Sequence, residues 1–298
     1  MRTSVSFVLI LLLLAAVGCS HQSEKISRAE ANADFYLSQT DRTDPGEYSY
    51  VFDNLPESYD ALCGIIKEQL IHPVEIGPYS DIIPEERHYE DAEYLTVGEM
   101  LAGLMAYDST GLTLDREPQD RLVVACVHHA LLFTSIVRQG GTPARMRFGF
   151  APYIGRQYGV DMGVGHAICE VWDEGGSRWM YVDPDRGMVD FPKGDFECAS
   201  ESWQKLRQLD YDPDWYKSAF FKGEKSILDL LRLDLLYVLK EEPMYFDGPP
   251  VAPHDIPELD DLTTDELTAL DRIADLMKNP GAHLDELRHL RESVDYLN

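Results

Sequence analysis

One cysteine, one histidine and two aspartates are the residues in this sequence whose types and spacing could do chemistry. Cys126 lies in the apolar run Val123-Val-Ala-Cys-Val-His-His-Ala-Leu-Leu132, and His166 follows forty residues later. Asp183 stands seventeen residues beyond His166, with Asp185 two further on. Two alternating segments, His166-Ala-Ile-Cys-Glu-Val-Trp172 and Trp179-Met-Tyr-Val-Asp183, flank Gly175-Gly176 and predict a β-hairpin. With those glycines at the turn, Asp173 faces Arg178 and Trp172 faces Trp179, both favourable cross-strand pairs. Counting outward, Ile168 faces Asp183 and His166 faces Asp185. Alternation then puts His166, Asp183 and Asp185 on one face, with Asp185 opposite the imidazole and Asp183 on the diagonal. A carboxylate beside an imidazole fixes its tautomer and stabilises the imidazolium, while the second ring nitrogen takes the proton of a thiol. The pair needs a cysteine on a helix packed over that face, and Cys126 is on the right kind of element. Taken alone, Cys126 also fits a buried structural thiol.

The elements that must position these groups can be read from periodicity. Apolar residues at 62, 65, 66 and 70 predict an amphipathic helix over 59–70, ended near His72-Pro73. A second helix is expected over 95–105. The apolar run 122–137, stopped by Gly140-Gly141, predicts a buried helix. Asp120 could cap that helix, which would put Cys126 in its second turn and weaken the help from the helix dipole. Residues 144–150 alternate as a strand. Helices resume over 227–239, a proline-rich connector spans 247–257, and Thr263-Thr-Asp-Glu266 opens a terminal helical hairpin broken at Asn279-Pro-Gly281. Helices, then a strand meander, then helices predict an α+β fold.

Cys126 on a helix, Val137-Arg-Gln-Gly-Gly-Thr-Pro-Ala-Arg145, Gly165-His166 and Trp179-Met-Tyr-Val-Asp-Pro184 together resemble the transglutaminase-like superfamily. The motif-bearing core runs over 120–186. More loosely, the segment 55–73 and the terminal hairpin are similar to bacterial proteins that keep this arrangement through most of the chain. The resemblance implies a papain-like fold, with the cysteine near the start of a buried helix packed on an antiparallel sheet and extra helices on both sides. It implies Cys126 as nucleophile, His166 as general base and Asp183 as the orienting acid. Asp185 stays open as the third member, since the register count favours it. The family often has a glycine two residues before the cysteine and a tryptophan two after the histidine; this chain has Val124 and Ile168. For the oxyanion, the Cys126 backbone amide is the candidate donor.

The implied activity is a thiol enzyme that attacks an amide carbonyl of a peptide or protein, forms a thioester and passes the acyl group to water or an amine. Hydrolysis is favoured over cross-linking by analogy with bacterial relatives. The alternative is a catalytically inactive binding or scaffold module on the cell envelope.

Arg2 before the apolar run 7–17, then Gly18-Cys19, reads as a signal peptide over 1–18. Ala16-Val-Gly-Cys19 resembles the bacterial lipobox, which would make Cys19 a lipidated first residue on the cell envelope. A polar tether is expected over 19–48, followed by the transglutaminase-like domain over 49–298 with its helical extension at 258–298. With 53 acidic and 26 basic residues, the net charge of −27 argues against nucleic-acid binding.

Besides Cys19, the chain has Cys63, Cys126, Cys169 and Cys198, which read as buried thiols with at most one disulfide, Cys169–Cys198, if Cys126 is free. His128 and His129 point about 100° apart on a helix, so they read as bystanders; no third ligand completes a metal site, and no cofactor is called for. Arg145 and Arg147 contact substrate or buttress the sheet.

Overall fold

The structure, a computed structural model, describes residues 26–244 and 256–298. The signal peptide, Cys19, the start of the tether and nearly all of the 247–257 connector lie outside the described residues.

The amphipathic segment folds as α1 (Tyr59–Lys67), three residues shorter than expected, because Leu70–Ile71 is drawn off as a short strand, β1. α2 (Val97–Tyr107) follows, opened by a capping box in which Thr96 and Glu99 satisfy each other's backbone N–H groups. Leu122–Val123 forms β2, which pairs in parallel with β1 before the chain enters α3 (Cys126–Gln139). This corrects the helix expected from residue 122. Apolar runs of this length do not distinguish strand from helix until the partner strand is known. α3 stops where Gly141 takes φ +80°, a conformation that a side chain would strain.

The sheet is built from β3 (Ala144–Ala151), β4 (Gly163–Asp173), β5 (Arg178–Asp183), β6 (Met188–Val189) and β7 (Glu197–Cys198), in the order β6-β5-β4-β3-β7 and antiparallel throughout. Between β3 and β4 runs the short helix α4 (Pro152–Gln157). After β7 come α5 (Ala199–Arg207), β8 (Tyr216–Lys217), which adds in parallel to β4, and α6 (Gly223–Val238). The mixture of helices with an antiparallel sheet is the α+β class expected.

β7 crosses so close to β3 that a Cβ on Gly149 would meet Glu197 O at 2.1 Å, so only glycine fits there.

Met146, Phe148 and Phe150 of β3 and Ala167, Cys169 and Val171 of β4 bury against the apolar sides of α3 and α6 in one core. On the other face, Ile168, Tyr181, Phe191, Phe196 and Cys198 form a second cluster. Beside it, Arg145 is held by Glu170 at 2.6 Å and stacks on Trp179 at 4.1 Å, while Arg147 makes two bonds to Asp234 of α6 at 2.8 and 2.9 Å. Both arginines buttress the sheet. All four described cysteines are free and buried. Cys169 meets Thr134 on the α3 side, whereas Cys198 meets the Tyr181 hydroxyl on the other.

The tether reading does not hold for residues 26–48. Ile26 N–H bonds Ser177 O, the Tyr36 hydroxyl donates to Val238 O, Ser135 Oγ donates to Thr43 O, and Ala31, Ala33 and Tyr36 are fully buried. The segment is polar on average, but Ala31, Ala33 and Tyr36 are buried and Ile26, Phe35 and Leu37 half-buried, and composition does not register that. At the other end, α7 (Thr264–Leu276) begins at the expected Thr263–Glu266 capping box. It docks on α5 through Trp203 Nε1–Asp271 at 2.9 Å, and α8 (Leu284–Glu292) follows the break at Asn279-Pro-Gly281.

Candidate active site

Cys126 is the first residue of α3, and the segment just before it explains why the helix starts there. Leu122 N–H donates to Gln69 O and Val124 N–H to Ile71 O, so the backbone up to Val124 is committed to the β1–β2 pair. Glu90 accepts Val123 N–H at 2.7 Å, and Asp91 accepts Ala125 N–H at 2.8 Å. Ala125 is extended at φ −68°, ψ 170°, and the helix begins one residue later. Cys126 therefore stands in the first turn, where amide N–H groups lack partners within the helix and the dipole favours an anion. Val124 lies in the extended stretch and needs none of a glycine's freedom.

The hairpin register is the one read from the sequence, with Trp172 opposite Trp179 and Asp173 opposite Arg178. The ladder ends at Cys169–Val182, one pair before Ile168 would meet Asp183. Beyond that point the carboxylate on the diagonal, not the one opposite, takes the imidazole: His166 Nε2 lies 2.8 Å from Asp183 Oδ2. Asp183 Oδ2 also accepts the Tyr153 hydroxyl at 2.7 Å, and Oδ1 accepts Arg186 N–H at 3.0 Å. Three donors hold this fully buried carboxylate in one orientation.

Asp185 turns elsewhere, with His129 Nε2 at 3.8 Å and the Arg186 guanidinium at 3.2 Å. The expectation that α3 packs over the His166 face is corrected. Cys169, three positions from His166 and so on the opposite face, bonds Ala130 O, which puts the helix body on the Cys169 side. Only the first turn reaches His166.

The imidazoles of His166 and His72 both act on the Cys126 sulfur. Because Asp183 holds His166 Nε2, Nδ1 is the nitrogen left for the sulfur. Burial pushes the Cys126 thiol up, but His166 first and His72 second more than offset it and bring the sulfur down to about 6. Burial likewise opposes a charged His166, yet Asp183 and Cys126 hold its protonated form well above the ordinary histidine range. A thiolate facing an imidazolium is the species this geometry favours. The other thiols go the opposite way: burial raises Cys63 and Cys198 to about 12 and Cys169 higher still.

His72 was missed in the sequence. It follows β1 directly, and the β1–β2 pair brings it to the cysteine from 54 positions away, a non-local pairing that two-residue strands do not announce. Its Nδ1 accepts Val74 N–H at 3.2 Å. Tyr153 and Arg186 were also missed; Arg186 ties the site's rim together by reaching Glu75 at 2.6 Å and Gln157 at 3.4 Å.

The two helical histidines are held by other groups. His128 is buried 3.5 Å from Asp91, and desolvation lowers it to about 4; His129 donates from Nδ1 to Ala125 O. Among the described residues no cluster of three His, Cys, Asp or Glu side chains is arranged to hold a metal ion. The site is closely covered, with Cys126 5% exposed and His166 2%.

No curated protein and no solved structure matches the chain. Residues 117–184, which hold Cys126, His166 and Asp183, match the sequence model of the transglutaminase-like superfamily.

Proposed function

We propose that the protein is a thiol enzyme acting on amide bonds of peptides or proteins, with Cys126 as nucleophile, His166 as base and acid, and Asp183 as the orienting carboxylate. The observation that carries this reading is the contrast among the four described thiols: three are driven up by burial, and the one beside His166 is driven down. A buried structural cysteine has no use for that environment.

In the proposed reaction the Cys126 thiolate attacks the amide carbonyl carbon, and the C=O π pair moves onto oxygen. Collapse expels the amine, which takes the proton held by His166, and leaves a thioester on Cys126. His166 then removes a proton from water as it attacks. The second collapse releases the carboxylic acid and restores the thiolate facing the imidazolium. Water is the preferred acceptor, so hydrolysis is favoured over cross-linking. We further propose that the protein is exported and lipid-anchored at Cys19, a reading supported by the apolar run and the Ala16-Val-Gly-Cys19 ending.

The close cover over the sulfur favours one competitor, a module that keeps the fold without turnover. Iodoacetamide labelling followed by peptide mapping separates the two. The enzyme reading expects Cys126 to react far ahead of Cys63, Cys169 and Cys198, and His166→Ala to abolish that lead. Equal, slow labelling of all four thiols sinks it.

A further inference from the structure

Cys126 has two imidazole partners, and the proposed reaction uses only one. His166 is oriented by a carboxylate and serves as base. His72 is built differently. Its Nδ1 accepts the Val74 N–H, so the ring proton resides on Nε2, the nitrogen left to face the sulfur. Asp185 acts on it through charge and not through a hydrogen bond. An imidazole whose Nδ1 accepts a backbone N–H, and which has no carboxylate hydrogen-bonded to it, is suited to donate from Nε2 to negative charge. Despite burial, the sulfur and Asp185 beside it strengthen its hold on a proton.

Its position is fixed by backbone. His72 follows Ile71, whose carbonyl accepts Val124 N–H, two residues before Cys126. The same parallel pair therefore sets both side chains, and neither can shift along the chain without the other. When the thiolate attacks a carbonyl, the oxygen that gains the electron pair lies two bonds from the sulfur. A donor already on the sulfur is within reach of that oxygen.

Resting on the proposed thiol chemistry, we infer that His72 Nε2–H, together with the Cys126 backbone N–H, forms the oxyanion hole of this site. In the resting state His72 donates to the thiolate. In the tetrahedral intermediate it donates to the oxyanion, and when the carbonyl re-forms it returns to the sulfur.

The test compares two reactions of the same sulfur. Acylation by p-nitrophenyl acetate passes through a tetrahedral oxyanion, with p-nitrophenolate as leaving group. Alkylation by iodoacetamide displaces iodide from a saturated carbon and forms no oxyanion. Both are measured above pH 9, where the thiolate is formed in every variant, with the rate of a Cys126→Ala chain subtracted. His72→Ala is expected to slow acylation by roughly 10²-fold or more while alkylation changes only a few-fold. His72→Gln, which keeps an N–H donor, is expected to recover most of the acylation rate. Equal loss in both reactions would mean that His72 acts only on the thiolate, and no loss in either would mean that it is structural; both outcomes overturn the proposal. A wild-type chain whose Cys126 shows no labelling preference fails earlier, at the enzyme reading itself.

Discussion

Asp183 and Asp185 are two positions apart in the chain and differ in what they hold. Asp183 bonds His166, Tyr153 and the Arg186 backbone, whereas Asp185 faces His129 and the Arg186 guanidinium. Asp183 is what keeps His166 charged, and charged His166 is foremost among the groups that bring Cys126 down to about 6. Alkylation of Cys126 in the wild type should therefore rise with pH through about 6 and level off as the thiolate fills. Asp183→Asn should move that limb toward the ordinary thiol range near 8.5, slowing labelling at pH 7 by roughly 10- to 30-fold. Asp185→Asn should leave the limb within about half a unit of wild type. The same change in both variants would show that the two carboxylates act as one charge cluster, with no oriented partner for His166.

At the scale of elements, the reactive sulfur depends on where α3 begins. Val123 and Val124 are held extended by β1 and Glu90, and Asp91 takes the next N–H, at Ala125. Asp91→Ala leaves that N–H and the nearby His128 without their carboxylate, at a cost of about 1–3 kcal/mol. A lower urea midpoint at unchanged slope, together with slower Cys126 alkylation, is the expected result. A variant as stable as wild type would show that the junction does not depend on Asp91. This junction is also where the sequence was least legible. The β4–β5 hairpin could be registered from local information, because Gly175-Gly176 and the Trp172–Trp179 and Asp173–Arg178 pairs all agree. The β1–β2 pair joins two dipeptides 52 positions apart, and no pattern within either one signals it. Both the late helix start and His72 were hidden for that reason. The choice of Asp183 over Asp185 turned on where the ladder ends, which alternation alone does not encode.

At the scale of the whole molecule, Glu170 joins parts of the chain that composition alone would separate. Its carboxylate bonds Arg145 at 2.6 Å and Arg147 at 3.2 Å; Arg145 stacks beneath Tyr36 of the N-terminal segment, and Arg147 reaches Asp234 of α6. Burial pushes this carboxyl up, but Arg145, Arg147 and Lys193 overcome it and hold it far below the ordinary carboxylate range. Glu170→Gln leaves two buried guanidinium groups undercompensated and should destabilise the fold by about 3–5 kcal/mol at pH 7. The pH dependence has a definite sign. A carboxyl depressed in the folded state contributes stability that is fully present above its unfolded value of about 4.3 and is lost as pH falls toward its folded value. The glutamine variant has no such group to titrate. Urea unfolding from pH 7 down to pH 3 should therefore show the gap between wild type and Glu170→Gln constant above about 5 and narrowing below about 4. A gap that stayed constant to pH 3 would assign the loss to packing, with no part played by the ionised carboxylate between Arg145 and Arg147.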